Sequence, residues 1–409
     1  MKILHVISSV DPRGGGPIEG VLRSAQVWAS HGHGVCIASL DSPDAEWVIH
    51  SPVETVALAP QRRSQSQLRK FLPWLRYGYA PSFTPWLRAN AATFDIIIIN
   101  GLWNYASFGA WRALRGTGFP YFVFTHGMLD PWFSKTYPVK HFFKAMFWRL
   151  FEHKVLRDAR GTLFTCEEER LLARRSFEPY IAREYVVGYG TTDVGGDPDE
   201  QIAAFFSAVP KARGRLFALF LSRIDKKKGI DFLLKAFALH ADRFPDLDLV
   251  VAGPDLAGLQ ANLKALSSSL GLEARVYWPG MLTGAAKWGA FRAAKFFVLP
   301  SHQENFGVVV AEAMALKRPV LITNKVNIWR EVELDGAGIV VDDTAEAIAA
   351  GFEQMCSRSP SQLDEVGRRG RSSFLKRYNL EDNAMQLLLL LRRLSDNTRG
   401  SFEPSGKTD

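Results

Sequence analysis

Short apolar runs alternate with amphipathic stretches along the chain, and this alternation predicts the fold. Eleven apolar runs of four to six residues are predicted to be strands: residues 3–7, 35–39, 53–58, 96–100, 121–125, 162–165, 216–221, 247–252, 275–278, 296–299 and 319–323. Stretches with a helical spacing of apolar positions lie between them, as at residues 17–29, 139–158, 229–243 and 307–316. Strands that are apolar throughout and joined by helices are typical of parallel sheets covered on both faces. We therefore predict an α/β protein with two doubly wound, Rossmann-like domains in tandem.

The amino-acid composition of the sequence changes at residues 188–200. The segment GYGTTDVGGDPDE is rich in Gly, Asp and Pro, which predicts a linker. We divide the chain into an N-terminal domain (1–190) and a C-terminal domain (191–378), followed by a helix (379–395) predicted to pack on the N-terminal domain and a disordered tail (396–409). Ligands of doubly wound sheets bind at the carboxyl ends of the strands, so two such domains facing each other would form a ligand-binding cleft.

Composition and charge narrow the class of protein. Of the 409 residues, 47% are hydrophobic and 22% charged, so a folded protein is expected. The formal net charge of +8 favours an anionic partner such as a phosphate, a nucleic acid or an acidic membrane surface. The three cysteines are far apart and fit no metal-binding spacing, which favours a reducing cytoplasm. The longest leucine run is too short to span a membrane.

Two glutamates in the stretch HQENFGVVVAEAMALKRPV have no cation nearby to neutralise them. Glu312 lies in a helix that is apolar all round and therefore buried, where a carboxylate is costly without partners. The two hydroxyls of a ribose would suit such an acceptor. Glu304 precedes this helix, whose N-terminus favours anions such as phosphate. The alternative is that both glutamates pair with distant lysines or arginines.

Three further features lie at predicted strand ends. In LSRIDKKKGIDFLLKAF, Arg223 and Lys228 flank a strand-to-helix turn and suit a diphosphate. We interpret the intervening Lys226 and Lys227 as a solvated charge run. The glycines of SSVDPRGGGPIEG let the backbone approach a ligand, but they lack the GxGxxG spacing of dinucleotide-binding oxidoreductases. His126 ends an apolar strand in VFTHGMLDPW, with a purely structural role as the alternative.

Together these motifs resemble the large retaining glycosyltransferase family four, of the GT-B fold, from Met1 to about Leu394. The most specific match is an E-x7-E motif that runs from Glu304 to Glu312. The Arg–Lys turn and the glycine loop match as well, and THGMLDPW followed by FTCEEERLLA is similar to a subgroup common in bacterial polysaccharide assembly. The family often has Gly where this chain has Lys317.

The resemblance implies how a sugar donor would be held. Glu312 would bind the ribose hydroxyls of the donor, and Glu304 would contact the hydroxyls of the donor sugar. Backbone groups beside Glu304 would assist it, at Asn305, Phe306 and Gly307.

The resemblance also implies how the phosphates and the reacting carbon would be contacted. Arg223 and Lys228 would hold the diphosphate, and Gly15 and Gly16 would approach the phosphate or the sugar from the other domain. His126 would contact the sugar near its reacting carbon.

The activity so implied is a retaining transfer of a sugar from a UDP- or GDP-sugar to an acceptor hydroxyl. No metal and no cofactor is expected, because the cations and the helix dipole would stabilise the leaving diphosphate. Two alternatives are a sugar-nucleotide 2-epimerase of the same fold and a non-catalytic subunit that binds sugar nucleotides.

The N-terminal half is predicted to bind the acceptor, since it holds eight of the eleven tryptophans. Residues 61–90 and 139–160 each carry six lysines and arginines, which suit an anionic membrane surface where aromatic residues accompany them. We expect a cytoplasmic protein, peripheral on the inner membrane, acting on a glycan or lipid-linked glycan in lipopolysaccharide or exopolysaccharide synthesis. The alternative for residues 139–160 is a plain helix with its aromatic residues in the core. No nucleic-acid partner is expected, because no such binding signature is found.

Overall fold

The computed structural model describes residues 1–60 and 77–396, and the chain separates into two compact units. The first unit comprises Met1–Tyr189 and the residues from Leu380 onward, and the second comprises Gly190–Asn379. Each unit is built on a parallel sheet covered by helices, which confirms the prediction of two doubly wound α/β domains. Two predicted features, the basic residues within 61–76 and the disordered tail from residue 397, lie outside the described residues.

Seven strands in the described part of the first unit form a parallel sheet of order β3-β2-β1-β4-β5-β6-β7. They are β1 (Lys2–Ile7), β2 (Gly34–Ser39), β3 (Glu54–Ala57), β4 (Ile96–Asn100), β5 (Tyr121–Phe124), β6 (Gly161–Phe164) and β7 (Glu184–Val186). The chain order reverses between β1 and β4, so the loops after these strands diverge at the carboxyl edge of the sheet. This edge carries the glycine loop after β1 and His126 after β5.

Helices of the first unit cover both faces of its sheet. They are α1 (Gly16–Ser30), α2 (Glu46–Ile49), α3 (Phe83–Asn90), α4 (Tyr105–Leu114), α5 (Trp132–Thr136), α6 (Pro138–Phe147), α7 (His153–Arg157) and α8 (Glu167–Ala173). A π-helical turn at Trp148–Glu152 joins α6 to α7, so the single helix predicted for residues 139–158 has an irregular centre.

The second unit has a six-stranded parallel sheet of order β10-β9-β8-β11-β12-β13. Its strands are β8 (Leu216–Leu221), β9 (Leu247–Ala252), β10 (Val276–Gly280), β11 (Phe296–Leu299), β12 (Val320–Thr323) and β13 (Gly338–Val341). Its helices are α9 (Pro198–Ala208), α10 (Ile230–His240), α11 (Gln260–Ser269), α12 (Gly284–Ala293), α13 (Val308–Ala315), α14 (Trp329–Leu334), α15 (Ala345–Ser357) and α16 (Pro360–Arg377). The order reverses between β8 and β11, and the loops after these two strands hold the Arg–Lys turn and Glu304.

The last helix, α17 (Leu380–Asp396), belongs to the first unit. Its apolar face, with Leu387, Leu388 and Leu391 buried, joins a hydrophobic cluster under the sheet that includes the fully buried Trp28 of α1. The indole Nε1 of Trp28 donates to the carbonyl oxygen of Ala384 at 2.8 Å. α17 thus covers the apolar surface of this buried indole and also accepts a hydrogen bond from its N–H.

One sequence expectation needs correction, and one departure from the family pattern is explained. The predicted linker at residues 188–200 is shorter, because α9 begins at Pro198, capped by the Asp197 side chain, which accepts from the Asp199 backbone N–H. Lys317, where the family often has Gly, adopts a left-handed backbone with φ 57°. The departure is therefore in residue type only, since the backbone keeps the conformation that favours glycine.

Candidate functional site

The turn after β8 places a buried lysine at the carboxyl edge of the second sheet. Lys228 is 4% exposed, and its Nζ forms a close ion pair with Oε2 of Glu304. The next residue, Gly229, has φ 66°, and a Cβ there would lie 2.1 Å from the carbonyl oxygen of Pro300. Glycine is therefore required for this turn to meet the loop that follows β11. Arg223, at the start of the turn, is exposed.

Glu304 is held by its backbone as well as by its side chain. Its backbone N–H donates to the carbonyl oxygen of Lys325 at 2.9 Å, and its own carbonyl oxygen accepts from the Asn327 N–H at 3.0 Å. Burial opposes ionisation of Glu304, but the charge of Lys228, its hydrogen bond and the charge of Lys227 together lower the pKa of the carboxyl below its usual value. Arg223 adds to the same effect. The group is therefore an ionised acceptor at neutral pH.

Glu312 lies in the middle of α13 and is 1% exposed. Its Oε1 accepts from Nζ of Lys287 at 2.7 Å, and Lys287 comes from α12 rather than from its own helix. The alternative stated for the two glutamates is thus what the structure shows: each pairs with a lysine distant in sequence. Lys287 was missed as a site residue, because nothing in the sequence connects a cation in one helix to a carboxylate 25 residues later.

The three residues between Glu304 and α13 have distinct environments. Gly307 is the N-cap of α13 with φ 75°, so the free backbone N–H groups of the first helical turn begin here. The Phe306 ring is 4% exposed and packs edge-on against Tyr378. Asn305 lies within 3.5 Å of the Asn327 amide. The Phe306 side chain belongs to the core, so only its backbone is available for the predicted role.

Lys227 differs from the solvated interpretation. It is half-buried, and burial lowers the pKa of its ammonium. Its carbonyl accepts from the His302 N–H at 2.8 Å, and its Nζ reaches Oε1 of Gln303 at 3.4 Å. Lys226 is exposed as expected. The turn therefore carries two lysines, Lys227 and Lys228, that are withdrawn from water.

The first unit presents an open glycine loop at the carboxyl end of β1. Gly15 has φ 79° and caps α1, which begins at Gly16. A Cβ built on either glycine would meet nothing within 4 Å. The protein itself therefore leaves the space beside both residues unfilled, as a ligand approaching the backbone would require.

His126 follows β5 in a strained conformation with φ 48°. Its ring stacks on Phe124 at a centroid distance of 4.5 Å, and its Nε2 lies 3.2 Å from Oδ1 of the buried Asn100. Asn100 in turn contacts the ring of His5 at 3.1 Å. Withdrawal from water lowers the pKa of His126 to about 3, so the imidazole is neutral at neutral pH.

A buried carboxylate binds the residues on both sides of His126. Glu169, 4% exposed, accepts at Oε1 from the Thr125 hydroxyl at 2.7 Å and the Gly127 N–H at 2.6 Å. Its Oε2 accepts from the Thr165 N–H at 2.7 Å and the Thr165 hydroxyl at 2.6 Å. This residue stands in the FTCEEERLLA motif, but sequence alone gave no sign that it ties the ends of β5 and β6 together.

Comparison with known proteins identifies the family. The model of the Glycosyl transferase 4-like domain matches residues 15–190, and that of Glycosyl transferases group 1 matches residues 201–373. The D-inositol 3-phosphate glycosyltransferase of Arthrobacter sp. is 32% identical over 157 residues, which are 38% of this chain and 37% of that protein. The chain spans less than half the length of the first curated relatives it matches.

Solved structures agree with the fold. Sucrose-phosphate synthase from Thermosynechococcus elongatus matches with a TM-score of 0.73 at 20% identity, over 97% of this chain and all of that one. Anabaena HepE, in complex with UDP and glucose, matches with a TM-score of 0.72 at 19% identity, over 96% of this chain and all of that one. The two family models together cover most of the sequence, and the matched ranges include the candidate site residues of both units. The chain therefore belongs to the group 1 glycosyltransferases and has the GT-B fold.

Proposed function

We propose that this protein transfers a sugar, with retention of its anomeric configuration, from a nucleoside-diphosphate sugar to a hydroxyl group of an acceptor. The observation that carries the proposal is the carboxyl edge of the second sheet. There the ion pair Lys228–Glu304 precedes α13, and the ion pair Lys287–Glu312 lies at the middle of this helix, which is about 12 Å long. Two carboxylates and two ammonium groups placed along one loop and helix suit a ligand with hydroxyls at both ends and a diphosphate between them.

The ion pairs leave these groups able to bind a donor. An ammonium has three N–H donors, so Lys228 can serve Glu304 and a diphosphate oxygen together. A carboxylate can accept about four hydrogen bonds, so Glu312 can bind ribose hydroxyls while it is paired with Lys287. In this proposal Arg223 and the N-terminus of α13 at Gly307 stabilise the leaving diphosphate without a metal. Glu304 contacts the sugar hydroxyls.

The relatives support the donor class and leave the acceptor to be proposed. HepE was solved with UDP and with UDP-glucose, and we propose a UDP- or GDP-sugar for this chain. We propose a lipid-linked glycan of cell-surface polysaccharide as the acceptor, on the resemblance of THGMLDPW and FTCEEERLLA to the polysaccharide subgroup. His126 then contacts the transferred sugar as a neutral imidazole, and Gly15 and Gly16 approach the phosphate or the sugar.

Glu312→Ala is expected to weaken donor binding by about 100-fold, because the charge-assisted bonds to the ribose are lost. Ligand-observed NMR across UDP-, GDP- and ADP-sugars measures this for wild type and variant. Glu333→Ala removes an exposed carboxylate of the same unit and should bind as wild type does.

The same donor panel separates the proposal from its alternatives. Binding of one nucleotide by wild type and its loss in Glu312→Ala supports the ribose assignment, whereas equal binding by both contradicts it. A 2-epimerase would convert the donor sugar without any acceptor. A non-catalytic subunit would bind the donor without hydrolysing it, and His126→Ala would leave that behaviour unchanged.

We also propose that α6 and the π-helical turn after it rest on an anionic bilayer. Seven large apolar side chains between residues 137 and 151 are 40–73% exposed: Tyr137, Val139, Phe142, Phe143, Met146, Leu150 and Phe151. The exposed Lys140 and Arg149 accompany them, and residues 137–151 contain no acid. Apolar contact with acyl chains and attraction to acidic headgroups add in such an arrangement. No helix in the described ranges is long and apolar enough to cross a bilayer.

Replacement of Phe142 and Phe143 by serine is expected to lower the binding to vesicles of acidic phospholipid by at least about 100-fold, since each phenylalanine contributes about 1.5–3 kcal/mol when buried. Flotation at physiological salt measures it. Leu239→Ser with Leu334→Ser, which removes two exposed side chains of the second unit, is the matched control. Absence of wild-type flotation would contradict the membrane proposal and leave the transferase proposal intact.

A further inference from the structure

A cavity of about 570 Å³ opens on the first unit beside the glycine loop. One wall is the loop after β1, with Asp11 and Arg13, and a second part of the lining is α2 and the residue after it, with Glu46, Trp47 and His50. The loop wall continues directly into the glycine loop: Arg13 is two residues from Gly15, so their Cα atoms lie within about 7 Å. The cavity is therefore on the carboxyl edge of the sheet, where doubly wound sheets bind ligands.

The cavity is preorganised by a buried carboxylate behind it. Asp41, 7% exposed, accepts from the Trp47 indole N–H at 3.1 Å, from the Ser9 hydroxyl at 2.6 Å and from the Val10 N–H at 2.8 Å. These bonds fix the loop and the indole relative to each other before any ligand arrives. A site held in this way loses little conformational entropy on binding.

The lining suits an uncharged polyol. Val10, Leu22 and the Trp47 indole give apolar surface for the C–H face of a sugar ring. The Arg13 guanidinium donates to both oxygens of Asp11 and lies over one face of the indole, 5.1 Å from the ring centre, so a sugar ring packs on the remaining apolar surface. A carboxylate accepts two hydrogen bonds side by side, and a guanidinium donates two. Each therefore suits a pair of vicinal hydroxyls. Two carboxylates, Asp11 and Glu46, face a single guanidinium, so a phosphate would be repelled.

We infer that this cavity is the acceptor subsite and that it takes an uncharged sugar residue of the acceptor glycan. The inference rests on the proposed function, and it goes further by naming the chemistry of the acceptor end. It also separates this chain from relatives named for D-inositol 3-phosphate, because an acceptor with a phosphate in this cavity would meet the excess of carboxylates.

Saturation-transfer NMR at pH 8 with methyl glucoside, galactoside and mannoside, and with the matching hexose 6-phosphates, tests the inference. We expect at least one methyl glycoside to bind wild type at least tenfold more tightly than its phosphate. Trp47→Ala should weaken this binding by tenfold or more. Glu46→Lys should shift the ratio of glycoside affinity to phosphate affinity about tenfold toward the phosphate, because it changes the local charge by two. Glu178→Lys makes the same charge change at an exposed glutamate of the first unit that does not line the cavity, and should match wild type.

Each outcome bears on one proposal. No glycoside binding by wild type, equal binding of phosphates, or binding unaffected by both Trp47→Ala and Glu46→Lys would overturn the acceptor subsite. Glu46→Lys changes an exposed side chain, so it remains informative if Trp47→Ala fails to fold. Donor binding on the same samples tests the proposed function separately: a wild type that binds a donor but no glycoside retains the transferase proposal and loses this one.

Discussion

Lys228→Met is expected to reduce sugar transfer by about 100- to 1,000-fold. The buried ammonium is proposed to meet the charge that develops on the leaving diphosphate, and removal of one such donor costs about two to three orders of magnitude in rate. The variant also leaves the Glu304 carboxylate without its closest cation, so a lower melting temperature is expected too. Rates are measured by release of the nucleoside diphosphate at saturating donor.

Two further variants separate the catalytic from the structural contribution of Lys228. Lys226→Met removes an exposed lysine of the same turn and should leave the rate within about twofold of wild type. In the double variant Lys228→Met with Glu304→Leu, an apolar pair replaces the ion pair, which should restore much of the thermal stability. Transfer should stay lost, because Glu304 is itself proposed to contact the sugar. Recovery of transfer in the double variant would show that Lys228 only neutralises Glu304.

Glu169→Gln is expected to lower the rate of transfer by about 10- to 100-fold with little change in donor affinity. An amide in place of Oε2 would face the N–H and hydroxyl of Thr165 with donors rather than acceptors. The turn that holds His126 in its strained conformation would then relax, and a displaced catalytic group loses rate through geometry. The kcat and the KM for the donor are the quantities to compare.

A double-mutant cycle tests whether Glu169 acts through His126. His126→Ala alone should cost about 100-fold in rate, and adding Glu169→Gln should cost little more, since the group it positions is already gone. Glu168→Gln, on the adjacent residue, should match wild type. If the two losses multiply, Glu169 does not work by positioning His126.

The apolar runs predicted the sheets well because a strand buried on both faces has to be apolar throughout. Residues 216–221, 247–252 and 296–299 coincide with β8, β9 and β11. Elements whose burial depends on their neighbours were missed. The short strand β13 begins with Gly338, whose Cβ would lie 2.0 Å from the Val320 carbonyl oxygen, and α16 is mainly polar with a small buried face.

The candidate site was predicted in part, for a similar reason. Glu304 and Glu312 stood out because a carboxylate in an apolar stretch is unusual, and Lys228 stood out beside a glycine turn. Their partners depend on tertiary structure: Glu304 meets Lys228 across 76 residues, and Glu169 meets Thr125 across 44. The family resemblance supplied roles for single residues, but pairs such as Lys287 with Glu312 emerge only when the helices are placed side by side.

The docking of α17 on the first unit has a consequence for synthesis of the chain. The first unit is closed by residues that the ribosome makes only after the whole of the second unit. Until residues 384–391 leave the exit tunnel, the apolar surface around Trp28 has no cover and the indole N–H lacks its acceptor. We therefore expect the second unit, which is continuous in sequence, to complete its core during translation. The N-terminal unit must wait until residues 384–391 have emerged and needs protection from aggregation in the interval.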